Sequence, residues 1–530
     1  MSLFVVAVSR SLILGAVLAI LLCSNAIAAT TPDRVPGFEG GAELQGRGVR
    51  YSSPVIAEID GDTANGKEIA VSTPDGVLNV LRSDGSLLWT ARLPNAGCTA
   101  TFSGNKAYGA PAVGALYGDG VPYVVAPYGG LGARPCDGGI VAFVGSTGAV
   151  KWRFSTQAWA KRNKYGSIMF GVFGTPALAD VDGNGRLEIG FGSYDRNVYL
   201  LESNGRVRWF YNAADTVWGS PTFANVDSDS NLEMIIATDI SRNDRLVPAT
   251  KNGGFVYAFK TKRLSSSSKR LGFRNPKAYV WMTYLEQALY SSPAVGDVLS
   301  DNPGDEVVIQ SGCYFRRSSG RHFGDWIKVL DAATGRILKT LPTIACSPSS
   351  PSLADVDGDG QLEIVATTSG STNIGGDGAS RLSAWKASNP TPLWSMTPLG
   401  TSRNDAGGGH FLSPVIADLD GNGSLEVAVS NNGGVAIVAG ATGEQLSCPT
   451  SSCTGLGSFG QGGVTNNTPA IGDVNSDGKL DLVAAGGSST TGKVYAWTNF
   501  DQDLGSLAGT ATPYSAPWPM WRKNAQRTAR

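Results

Sequence analysis

Carboxylates at alternating positions, punctuated by glycine and closed by one further acid, recur along this chain. In residues 354–365, "ADVDGDGQLEIV", Asp355, Asp357 and Asp359 alternate, Gly360 follows, and Glu363 closes the run beside an apolar strand. A tight loop with acidic or amide side chains at its first, third, fifth and ninth positions can wrap one Ca2+, which takes about six to eight oxygen ligands. Glycine beside the fifth position permits the sharp turn. The same spacing recurs at Asp180, Asp182, Asn184 and Glu188, and at Asp418, Asp420, Asn422 and Glu426. It recurs again at Asp473, Asn475, Asp477 and Asp481. A fifth loop has Asn225, Asp227, Asp229 and Glu233, with Ser230 replacing the usual glycine. Without a cation, carboxylates packed this closely repel one another.

Two alternatives compete with a Ca2+ loop of this kind. An EF-hand needs a glutamate at the twelfth loop position and flanking helices, whereas apolar strand-like runs flank these loops. A turn whose Asp side chains bond backbone N–H groups needs no ion. Near the N-terminus Asp60, Asp62 and Glu68 are spread by an insertion, and further on Asp297, Asp301 and Asp305 surround "LSDNP". The segment "ALYGDGVPY" retains only Asp119 and is expected to hold no ion.

The elements that position these loops follow from a repeat. A small residue, a proline and a short apolar run begin eight segments, with prolines at 54, 111, 176, 221, 293, 351, 414 and 469. The spacing averages about 59 residues, a period that marks a propeller or a similar array. Within the third unit "PALADV", "LEIGFGS", "NVYLLES" and "RVRWFYN" read as four strands separated by turns, one antiparallel blade. No long segment has helical periodicity. The expected fold is all-β, an eight-bladed β-propeller. A seven-bladed ring is the alternative, with the ion-poor second unit as an insertion. The chain ends must keep first and last blades from parting, so residues 513–530 or the region 34–50 are expected to complete a blade.

The acidic loop, "P-x-x-x-D-x-D-G-D/N-G-x-L-E-I", resembles the FG-GAP or VCBS repeat of integrin-α-like β-propellers, from about residue 50 to about residue 500. The resemblance implies a single propeller over residues 50–530 with a C-terminal closing segment, Ca2+ in its loops, and adhesion or surface recognition. Outer strands carrying Trp89, Trp152, Trp209 and Trp394 also resemble those of quinoprotein propellers. The adjacent cysteine pair of the alcohol-oxidising members is absent, so that activity is not implied.

Composition narrows the partners. The 530-residue chain carries 69 glycines, a charged fraction of only 16% and a formal charge of −1. Near-neutrality argues against nucleic acid or an anionic membrane surface. Two histidines leave little room for His-based chemistry. Arg10, the apolar run Leu12–Leu22 and the small residues ending in Ala26, Ile27 and Ala28 form a signal peptide over residues 1–28, followed by an N-terminal segment at 29–49. No later apolar stretch is long enough to span a membrane. An exported, soluble mature chain is expected, in the periplasm, at the cell surface or secreted. Its six cysteines admit fifteen pairings, and proximity favours Cys98–Cys136, Cys313–Cys346 and Cys448–Cys453.

In a four-stranded antiparallel blade the turns after strands one and three share a face. The acidic loops therefore lie on one face, and the long segments from Ala126, Thr156, Ser311 and Ser402 lie on the other. Arg316, Arg317, Arg321, His322 and His410 map to that second face, with aromatics such as Tyr128, Trp159, Tyr194 and Trp218. Long loops on a rigid scaffold commonly carry binding, and aromatic faces with Arg forks suit a sugar, a carboxylate or a protein. The basic stretch from Lys260 reads as a solvated linker. The leading function is a non-catalytic binding or adhesion module for an extracellular or periplasmic protein or glycan. A polysaccharide lyase resembling the rhamnogalacturonan lyases is the enzymatic alternative, and a scaffold subunit of an envelope assembly is a third. No nucleophile elbow, zincin helix or phosphate loop is present.

Overall fold

The computed structural model describes residues 33–94, 98, 106–130, 136–163, 169–213, 215–227, 229–241, 251–262, 270–271, 277–315, 324–347, 349–369, 380–397, 413–431, 434–447, 467–500, 515–520 and 523–524. These residues form eight sheets arranged in a ring, an eight-bladed β-propeller. The first blade is Val55–Ala57, Glu68–Thr73, Val77–Leu81 and Leu87–Arg92, each strand antiparallel to the next. The second unit builds its own four-stranded sheet, from Ala112–Gly114 to Val150–Ser155, so the seven-bladed alternative falls. The one helix among the described residues, Thr156–Arg162, follows that sheet and is capped by the Ser155 side chain, which accepts from Ala158 N.

Second and third strands read as continuous apolar runs because each blade is covered on both faces by its neighbours. Glu68–Thr73, Tyr123–Tyr128 and Glu363–Thr368 are buried along their whole length. Outer strands such as Leu87–Arg92 are mostly half-exposed. The core therefore lies between blades, as apolar clusters that each draw on two or more sheets.

The residue before each proline explains the repeated small–Pro signature. The backbone N–H of Ala110 donates to Thr175 Oγ1 of the next blade at 2.9 Å, and Thr175 N to Ser220 Oγ at 2.8 Å. The series continues through Ser292, Ser350, Ser413 and Thr468 and returns from Thr468 N to Ser53 Oγ at 3.0 Å. The belt is broken once, because Ala110 offers Ser53 N no hydroxyl. Ser350→Ala should cost about 1–3 kcal/mol by leaving the buried Ser292 N–H unpaired. Ala110→Ser should close the belt and stabilise by about 1 kcal/mol. Chemical denaturation of both variants reads the two opposite signs, and equal midpoints would remove the belt from the account.

At the periphery, outer-strand tryptophans dock on the next blade. Trp89 Nε1 donates to Gly145 O at 2.6 Å, Trp152 to Ser203 O, Trp281 to Ala332 O and Trp394 to Gly440 O. Gly148, at φ 68°, leaves room for Trp89: a Cβ there would sit 2.6 Å from the indole. Trp209 differs, being wholly buried against Phe259.

Both chain ends close the ring. Ala42–Leu44 and Asp33–Arg34 pair antiparallel with the last blade's third strand, Gly492–Thr498, and supply its outer edge. The Arg34 guanidinium lies 4.3 Å from the centre of the Trp497 ring. The C-terminal segment does something different from completing an outer edge. Trp518 pairs with Ile416 and Ile471 N donates to Pro519 O, so residues 515–520 lie along the innermost strands of the last two blades.

Candidate metal centres and the opposite face

Each acidic loop joins the first and second strands of its blade, where the innermost strand has left the axis. The loops share one design. The closing acid begins the second strand, and one of its oxygens accepts a backbone N–H from the loop's start: Val181 for Glu188, Val226 for Glu233, Val356 for Glu363, Leu419 for Glu426 and Val474 for Asp481. The first Asp gathers the turn. Asp355 Oδ1 accepts from Gly358 N and Asp359 N, and Oδ2 from Gly360 N. Asp180, Asp418 and Asp473 each accept two of these, from the residues matching Asp359 and Gly360. Backbone bonding by the Asp side chains, the ion-free alternative, is thus present in these loops, but it does not satisfy them. Glu363 Oε1, Asp481 Oδ1 and, in the first blade, Glu68 Oε1 are buried without a hydrogen-bond partner. A buried unpaired carboxylate oxygen is costly, and a hard cation is the partner an all-oxygen donor set fits.

Carboxylate oxygens come within 4.8 Å of one another in five loops: Glu58, Asp60 and Glu68; Asp180, Asp182 and Glu188; Asp227, Asp229 and Glu233; Asp355, Asp357 and Asp359; Asp418, Asp420 and Glu426. The last trio is wholly buried. Burial, then Asp420, pushes the Glu426 carboxyl up to about 8. Burial with neighbouring Asp charges likewise raises Glu233 and Glu363 to about 7 and Asp481 to about 6.

The loops are not equivalent. Glu58 was not evident because it is a glutamate where other loops have their first Asp, four residues after the blade's proline, while Asp62 caps Ala64 N. In the last blade Asp481 is a methylene shorter than glutamate, and its loop does not gather three acids within that distance. Asn475 and Asn422 turn their amide nitrogens to Asp477 and Asp420, and Asn225 turns its own to Asp229 O. Asn184 Oδ1 accepts from Arg186 N. In the third blade Arg208, 4% exposed, places its guanidinium 2.6 Å from Asp182 and 3.3 Å from Glu188. In the sixth, Lys386 Nζ lies 2.8 Å from Asp357 and bonds Asp359. In the fifth, Asp297, Asp301 and Asp305 form no such group; Glu306 takes the closing role and Asn302 Nδ2 occupies its second oxygen at 2.7 Å. The second blade has Tyr123 in the closing position, with Lys151 over its ring.

Residues 418–484, which include the seventh blade's loop and the last blade's loop, match the FG-GAP-like repeat model. The protein is an eight-bladed β-propeller carrying an FG-GAP-like repeat. No curated protein matches the propeller by sequence. Among solved structures it is similar to a rhamnogalacturonan lyase of Bacillus licheniformis, at 16% identity over 87% of this chain and 75% of that one, with a TM-score of 0.50. It is also similar to BamB of Moraxella catarrhalis, at 14% identity over 86% and 97%, TM-score 0.45. A quinohemoprotein alcohol dehydrogenase of Pseudomonas putida gives 13% identity over 92% and 80%, TM-score 0.49. At such identities the likeness speaks to the fold alone.

Arg316, Arg317, Arg321, His322 and His410, which the sequence assigns to the opposite face, lie outside the described residues. Tyr128 is buried within its blade, and Trp159 packs on Phe154 and Phe210. Tyr194 and Trp218 do come together at the axis, beside an arc the repeat pattern did not disclose. Tyr51, Tyr108, Phe173, Trp218 and Tyr290 each stand three residues before a blade's proline, and their ring centres follow at 4.9, 4.4, 4.8 and 4.5 Å. Two of the four successive pairs are stacked and two are tilted, so the arc's rings pack on one another at this end of the axis. Two cysteine pairs sit at disulfide spacing, Cys98–Cys136 with Cα atoms 6.0 Å apart and Cys313–Cys346 at 5.4 Å. Cys448 and Cys453 lie outside the described residues. Among the described residues no helix is long and apolar enough to cross a membrane.

Proposed function

We propose that this is an exported, Ca2+-stabilised propeller that acts as a binding module for a protein or glycan outside the cytoplasm. The observation that carries the reading is the convergence of acidic oxygens in the loops of the third, fourth, sixth and seventh blades, joined in the sixth and last blades by a buried closing-acid oxygen without a partner. Asp355, Asp357, Asp359 and Glu363 hold the ion in the sixth blade, and the matching residues of the third, fourth, seventh and last blades hold theirs. Paired cysteines support export. With ions stapling one face, the longer loops of the other are free to serve recognition.

Immobilised polygalacturonate, a carboxylate-rich polymer, tests the glycan half. The Ca2+-loaded protein should be retained on it. A variant combining Arg321→Ala with His322→Ala should bind about tenfold more weakly at unchanged melting temperature. Normal binding by that variant removes these residues from the site.

A further inference from the structure

The seam where the N-terminal strand closes the ring holds a cavity of about 310 Å3, at the lower end of small-molecule pockets. Arg47, Arg50, Pro74, Ser488 and Ser489 line it. It opens on the face opposite the acidic loops, because the turns beside it, after Thr73 and after Gly487, each join second and third strands. Backbone bonds make it rigid: Gly48 N donates to Ser488 O at 2.8 Å and Val49 N to Gly486 O at 2.9 Å. Its charge is unbalanced. Asp75, the acid beside it, accepts the Arg47 N–H with both oxygens and lies 3.6 Å from Arg47 Nε, so it is engaged by one arginine. Arg50 is exposed and makes no ion pair with any described residue.

We propose that this cavity binds a carboxylate carried on a sugar ring, a hexuronate unit. A guanidinium fork matches a carboxylate in geometry as well as charge. Ser488 Oγ is engaged by Thr490 and Thr491 and shapes the turn, which leaves the Ser489 hydroxyl as the partner for a ring hydroxyl, and the volume suits one ring. This rests on the glycan half of the function proposed above and assigns it residues outside the long loops.

Isothermal titration of the full chain in Ca2+ buffer with glucuronate, glucose and inorganic sulfate tests it. Glucuronate should bind saturably and glucose should not, and Arg50→Ala should weaken glucuronate about tenfold at unchanged melting temperature. Arg50→Lys, which keeps the charge without the fork, should recover only part of the loss. Equal binding of glucose, sulfate binding without glucuronate binding, or an unaffected Arg50→Ala would each overturn the proposal. Polygalacturonate retention that ignores Arg50→Ala would sink the pocket and spare the function. Glucuronate binding without polymer retention would do the reverse.

Discussion

Excess chelator should lower the melting temperature of the propeller, and the loss should deepen as pH rises. Each loop saturated at a hundredfold excess over its dissociation constant contributes about 2.7 kcal/mol, so emptying several is a large perturbation. The pH dependence has a definite sign. In the ion-free protein the folded-state carboxyls of Glu233 and Glu363, at about 7, and Glu426, at about 8, lie above their ordinary range because burial disfavours the charged form. Between about pH 4.5 and pH 8 the native state then keeps protons that the unfolded chain has released, so stability falls as pH rises through that window. Added Ca2+ should displace those protons and remove the dependence. Melting curves at pH 5.5 and pH 8, with and without chelator, should show the largest gap for the chelated protein at pH 8. A chelated protein more stable at pH 8 than at pH 5.5 would contradict the loop electrostatics.

Arg208→Met should be the most damaging single substitution in the third blade. The guanidinium is nearly sealed from solvent and faces Asp182, Glu188 and, at 3.6 Å, Glu202. Deleting one member of a buried charge group typically costs about 3–5 kcal/mol, since the remaining charges stay buried unpaired. Methionine keeps much of the volume, which separates charge from packing. The cost should be largest in chelator and shrink with added Ca2+, which can take over the neutralising role. Denaturation midpoints measured both ways read this, and an equal loss in both conditions would show that Arg208 acts through packing alone.

The fold was legible because a repeat states its own architecture eight times. Period, strand count and loop placement were all in the small–Pro starts and the acidic turns. What the repeat concealed depends on contacts between units. The hydroxyl belt joins residues of adjacent blades through backbone N–H groups, although its trace is visible in the Ser or Thr before seven of the eight prolines. Arg208 stands 26 residues beyond Asp182 on its blade's outer strand, and only the folded sheet brings it to the loop. Glu306 was missed because a one-residue length change moved the closing acid out of register, and Glu58 because a glutamate stands where the other loops begin with Asp or Asn. In the fifth blade Asn302 satisfies the second oxygen of the closing acid with an amide. The proposed recognition residues were the least legible, because the long segments assigned to them follow no period, and Arg47 and Arg50 sit in a closing segment that reads as plain connection.

Elemental analysis of the protein after gel filtration in Ca2+-containing and then Ca2+-free buffer tests the central claim most directly. The account predicts at least four calcium ions retained per chain, with Asp357→Ala losing one while the propeller stays folded. A folded, full-length protein that retains no divalent metal would contradict it.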